Sequence, residues 1–164
     1  IDEKPGLPYP CPLDAHCTYT RDQILTGLGL NDPSSVREGV RQIKELSTDL
    51  FFITLNKSDK DYSPTTMYND YSISEELFHW QSQSTTSDTS PTARRYIGHR
   101  EQGGHIMLFV RENKKDLAGT SPYTFLGLAD YVSHEGSRPM SIIWKLQKPI
   151  PAKFLKKTNQ LMAG

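Results

Sequence analysis

The sequence predicts a mainly β domain with a few short helices, an α+β chain folded as a curled sheet or β-barrel. Three observations predict it. Two continuous apolar runs of strand length, Leu50-Phe51-Phe52-Ile53-Thr54-Leu55 and Ile106-Met107-Leu108-Phe109-Val110, have the β-rich composition of strands buried on both faces. Turn-formers are plentiful, with 11 Gly and 11 Pro in 164 residues, and the hydrophobic fraction of 35% is low for a helical bundle. Shorter strand patterns at 123–127, 131–132 and 141–146 are joined by Gly- and Pro-bearing turns, and closing such a sheet removes its exposed edges.

In chain order, residues 1–13 carry Pro5, Pro8, Pro10 and Pro12 with Gly6, so they run extended and cannot be helical. Residues 1–19 are therefore a lead-in strap, and 20–164 form one domain, the length being too short for two. Thr20, followed three positions later by Gln23, is a capping-box pattern, with Ile24, Leu25 and Leu28 on one face behind it. A helix over 21–27 follows, stopped by Gly27 and Gly29. Asp32-Pro33 starts at most a turn or two before Gly39. Residues 40–46 fit either period and are taken as a strand, and 56–64 are a polar turn.

The 19 basic and 19 acidic residues cancel, but they are unevenly spread. Between Pro91 and Lys115 six Lys/Arg face two acids, and after Glu135 the chain has no acid against Arg138, Lys145, Lys148, Lys153, Lys156 and Lys157. One face or edge is expected to be positive, as nucleic-acid binders are, with a merely solvated basic tail as the plain alternative. No run approaches the roughly 20 apolar residues of a membrane span, and no leader pattern opens the chain, so a cytoplasmic protein is expected. The start at Ile1 reads as a fragment of a larger chain. Cys11, His16 and Cys17 lie together but lack a second ligand pair, so reduced thiols are expected rather than zinc; no metal or cofactor is expected.

The densest chemistry lies in residues 65–84, TTMYNDYSISEELFHWQSQS, which crowd Tyr68, Tyr71, Phe78 and Trp80 beside Asp70, His79, Gln81 and Gln83. Flat rings next to amides and a carboxylate suit a planar polar ligand such as a nucleobase turned out of its helix. Core packing is the competing reading, and it is preferred for Tyr71, Phe78 and Trp144; the strand period of two turns His79 away from the face of Trp80. The cluster runs into SQSTTSDTSPT, eleven residues without an apolar side chain, and then into Arg94, Arg95 and Tyr96. A long polar loop of this kind is either functional or disordered. Hydroxyls such as Ser82, Ser84 and Thr85, with Arg94, Arg95 and Arg100, are the groups that bond phosphate oxygens.

Several of these stretches carry a family resemblance. DLFFITLNKSDKDYSPTTMYNDYSISEELFHWQSQS, LFVRE, PYTFLG and GSRPMSIIWKLQKPIPA resemble DUF3427, a C-terminal domain of bacterial DEAD/DEAH-box helicase proteins, and HCTYTRDQILTGLG resembles its lead-in. In such proteins the domain resembles the C-terminal third of modification-dependent, type IV restriction enzymes, in which a phospholipase-D-like nuclease precedes the helicase. The resemblance implies a target-recognition domain for 5-methylcytosine or 5-hydroxymethylcytosine in double-stranded DNA, with the helicase and nuclease domains of the same protein as partners. A looser similarity is to SRA domains, which flip 5-methylcytosine: Tyr68 lies in MYNDY and Trp80 follows twelve residues on. The Gly-rich loop of that family is absent, and Asp70 stands alone where it has several acids.

The resemblance implies Tyr68 and Trp80 as two walls around the base, Asp70 on the cytosine amine, and Gln81 or Gln83 on the ring oxygen. Stacking would return roughly 1 to 3 kcal/mol per base against the cost of extrusion. A fitted recess for the methyl adds on the order of 1 kcal/mol. A second reading is a structural or regulatory module that docks on its own helicase without reading bases. Catalysis is a third, but no Walker, HExxH, GxSxG or deaminase pattern is present, so a non-catalytic domain is expected.

Overall fold

The computed structural model of the chain describes residues 7–36, 38–56 and 70–155. In order they form β1 (Thr18–Tyr19), α1 (Arg21–Gly27), β2 (Val40–Ile43), β3 (Thr48–Thr54), β4 (Tyr71–Ser72), β5 (Leu77–Gln81), α2 (Pro91–Ile97), β6 (His105–Arg111), β7 (Lys115–Asp116), β8 (Gly119–Thr120), β9 (Tyr123–Glu135) and β10 (Ser141–Leu146). The main sheet runs β2-β3-β6-β9-β10-β5-β4, with β1 paired to the start of β9, and β7 and β8 make a separate hairpin. All ladders are antiparallel except β3 with β6. The fold class is the expected mainly β, α+β one. Of the two architectures the sequence allowed, the curled sheet is formed and the barrel is not: among the described residues β2 and β4 remain open edges.

The predicted runs become β3 and β6, and their period of two explains why both faces are apolar. Phe51 and Ile53, with Ile106, Leu108 and Val110, enter one core; Leu50 and Phe52, with Met107 and Phe109, enter a second. The second core is closed by α1, whose Thr20 makes both bonds of the capping box with Gln23 and whose Ile24 and Leu25 are buried. Leu13 of the lead-in is buried in the same core, with Leu7, Tyr9 and Cys11 packed against it. Arg21 seals the outside, its guanidinium 4.4 Å above the Phe52 ring and bonded to the Glu38 carbonyl and the Tyr123 hydroxyl.

The first core lies inside the curl. Residues 123–127 and 131–132, expected as two strands, are one long strand, β9, bent at Gly127 (φ 96°) beside a register shift against β6. A second shift falls between Ile143 and Trp144. Such irregularities bend a sheet, and here they bring β5 round to face β3 although β6, β9 and β10 lie between them. Phe51 and Trp80 stack at 4.1 Å with planes 6° apart, and Tyr96 of α2 meets both edge-on. His99, just after α2, is buried with its ring fully used: Nδ1 lies 3.3 Å from the Gly104 carbonyl and Nε2 accepts from the Tyr131 amide at 3.2 Å.

The segment 40–46 is a strand only to Ile43 and then a 3-10 turn, and Asp32-Pro33 opens another. Among the described residues no helix is long and apolar enough to cross a membrane.

Candidate functional site

Helix α2, inside the basic stretch, decides where the site is. Ser90 caps it by accepting from the Ala93 amide, Pro91 takes its first turn, and Ala93 and Tyr96 bury one side in the first core. Its other side, the preceding loop and the β2–β3 edge enclose a cleft of about 250 Å³ at one mouth of the curled sheet. Val40, Gln42 and Asp49 line it from the sheet, Gln83, Thr85 and Thr86 from the loop, and Ser90, Thr92, Arg95 and Tyr96 from the helix.

The polar loop 82–90 is tied down. Ser82 exchanges bonds with Met140 through its amide and hydroxyl, the Arg138 amide donates to the Thr86 carbonyl at 2.9 Å, and the Asp88 amide donates to the Ser137 hydroxyl at 3.1 Å. The loop thus borrows the β9–β10 turn as a brace.

At the floor of the cleft Arg95 grips Asp49, with Nε and Nη2 donating to the carboxylate at 2.9, 3.0 and 3.2 Å. Burial pushes the Asp49 carboxyl above its ordinary range, and the guanidinium pulls against that push; the forked contacts make the pair an ionic one. Tyr96 is only 2% exposed, yet among the described residues its hydroxyl has no hydrogen-bond partner. Burial first, and the Asp49 carboxylate second, push this phenol well above its ordinary range, so it stays a protonated donor. The side chains of Gln42, Gln83, Thr85, Thr86 and Thr92 also bond no described residue. Unused donors and acceptors therefore converge above a buried ion pair, an arrangement that suits a small polar ligand with several hydrogen-bonding edges.

Of the residues expected to form a pocket, the cleft gathers Gln83 alone among the described residues; Thr85 and Arg95, expected at the DNA backbone, also line it. Trp80 corrects the expectation: it is 4% exposed and its face is taken by Phe51, so it backs the core behind Tyr96 and is not one wall of an open slot. Tyr68 lies outside the described residues. Tyr71 stacks on His79 on the outer side of the sheet, 4.6 Å between rings, rather than in the core. Asp70 accepts from the Gln81 amide at 2.9 Å, and the Gln81 side chain donates to Ser141, so both help hold the β4–β5–β10 edge.

Ser82 is wholly buried and Arg95 is committed to Asp49, which takes both out of the surface set expected to bond phosphates. Ser84 is half-buried, Thr85 and Arg94 are exposed, and Arg100 is exposed with a 3.5 Å bond to the Tyr131 carbonyl. Neither Cys11 nor Cys17 is in a disulfide, and among the described residues no three His, Cys, Asp or Glu side chains are grouped to hold a metal ion. Asp49, Gln42 and Tyr96 were missed as site residues. Extending the period of two one step back from Phe51 puts Asp49 on the concave side; nothing in the sequence puts α2 against it.

The fold and site define an open, curled α+β sheet domain with a polar cleft at one mouth. The chain belongs to the family described as the domain of unknown function DUF3427, whose model matches residues 13–157. No curated protein matches the chain.

Proposed function

We propose that this domain is the target-recognition part of a modification-dependent, type IV restriction enzyme, a cytoplasmic and non-catalytic reader that receives a flipped modified cytosine in the cleft. The observation that carries the reading is that Tyr96, a buried residue whose hydroxyl has no partner among the described residues, lines a cleft together with amides and hydroxyls. The family resemblance to helicase-linked restriction proteins and to SRA domains supports the same reading. Extrusion of a base costs a few kcal/mol, and hydrogen bonds to its edges return about 1 kcal/mol each. Because Trp80 offers no free face, selectivity comes from edges and fit more than from a two-ring sandwich. Arg94, next to Arg95 in α2, and Arg138, whose amide bonds the Thr86 carbonyl, are exposed and would serve the DNA backbone.

The second reading, docking on the helicase of the same protein, draws on the opposite end of the sheet. There the β7–β8 hairpin holds Leu117 fully exposed at its tip, beside exposed Lys114 and Lys115. Gel-shift titration of a 5-methylcytosine duplex against its unmodified twin separates the two. The reader prefers the modified duplex, and Tyr96→Phe, which deletes one oxygen and leaves the core, weakens that binding by roughly 5- to 10-fold without lowering Tm. Equal binding of the two duplexes, or a Tyr96→Phe chain that binds as tightly as the parent, overturns the base-reading site.

A further inference from the structure

We propose, building on the cleft as a base site, that Asp49 is the residue that selects cytosine over thymine, accepting a hydrogen bond from the exocyclic amine while Arg95 holds the carboxylate in place. Among the described residues Asp49 is the one acid lining the cleft, and its carboxylate is buried at the cleft floor. A carboxylate has about four acceptor positions, and the three contacts from Arg95 Nε and Nη2 leave room for another donor. Arg95 Nη1 makes no hydrogen bond among the described residues and lies on the same forked group.

The cleft floor therefore presents an acceptor next to a donor. Cytosine offers the complement, an amine donor next to a ring-nitrogen acceptor. Thymine inverts both, setting a carbonyl against the carboxylate and a ring N–H against the guanidinium. The 5-methyl group is common to thymine and 5-methylcytosine, so a methyl recess cannot separate them. Neutralising Arg95 would leave the carboxylate without its brace, which is why the two act as a unit.

The test compares three duplexes that carry the same methyl group opposite guanine: 5-methylcytosine, thymine, and 5-methylpyrimidin-2-one, which is 5-methylcytosine without its amine. The last two are held less firmly in the helix and are easier to extrude, so weaker binding to them reports the lost edge contact. The chain is expected to bind 5-methylcytosine roughly 10- to 100-fold more tightly than either, the range for a hydrogen bond to a charged group. Asp49→Asn, whose amide can turn to present either oxygen or nitrogen, is expected to bring the three within about threefold of one another.

If the parent chain binds the amine-free duplex as tightly as 5-methylcytosine, the role of Asp49 is overturned whether or not Asp49→Asn folds. A folded Asp49→Asn chain that keeps the full discrimination overturns it as well. Either result leaves the base-reading site standing when modified and unmodified cytosine are still distinguished. Failure to bind any of the duplexes removes both.

Discussion

The two faces of β3 are equally buried, yet they end differently. The Leu50–Phe52 face is closed along its length: α1 and the lead-in cover it, and Arg21 caps Phe52 from outside. The Phe51–Ile53 face continues past its aromatic stack to Asp49, where packing gives way to an ion pair and then to the open cleft. One strand thus supplies a finished core on one side and the floor of a cleft on the other. Rigidity at the floor comes from the aromatic stack in the core behind it, which holds the polar groups in place.

Removing the stack breaks the comparison most severely. Trp80→Ala deletes a 4%-exposed indole between Phe51 and Tyr96, and urea unfolding should show a loss of about 3 to 5 kcal/mol. A Trp80→Ala chain of parental stability would mean that the indole is not core. On the closed face the expected effect is smaller. Arg21→Ala gives up a cation–π contact and two hydrogen bonds, about 1 to 2 kcal/mol together, and it should leave DNA affinity unchanged because α1 lies across the sheet from the cleft.

The smallest effect sharpens the boundary between packing and polar chemistry at His99. Burial holds this imidazole below its ordinary value of 6.5, and its Nε2 must stay unprotonated to accept from the Tyr131 amide. With the folded value depressed, the unfolded chain binds the proton first as pH falls. Stability is therefore full above pH 6.5 and declines from there down to the lower folded value. Burial shifts His105 the same way. Urea midpoints at pH 7.5 and pH 5.5 should differ in that sense, and His99→Gln should flatten part of the slope; a parent chain no less stable at the lower pH contradicts the assignment.

Much of the fold was legible because it is written in local periods. The apolar runs that became β3 and β6, and the Thr20–Gln23 box that starts α1, depend on near neighbours in the sequence. The alternation along β5 was legible too, with Phe78 and Trp80 on one side and His79 on the other. Which side would be covered was not. That depends on how far β9 and β10 bend, and on β3 arriving opposite β5, neither of which leaves a local mark. The site suffered for the same reason. Gln83, expected in a pocket, and Thr85 and Arg95, expected at the DNA backbone, stand out because they sit in a polar stretch, while Asp49 hides at the start of an apolar strand and Tyr96 behind two arginines. Ser90-Pro91, with Ala93 and Tyr96 three apart, is a local signal for α2.

The bracing of the 82–90 loop by the 136–140 turn has a kinetic consequence. A lip fastened by four bonds to that turn, through Ser82, Thr86 and Asp88, would not need to be ordered by an arriving guest. The entropy of arranging it is met during folding rather than at each encounter. Entry is then governed by how often the guest presents itself at the mouth, and the time it stays by the bonds it finds inside.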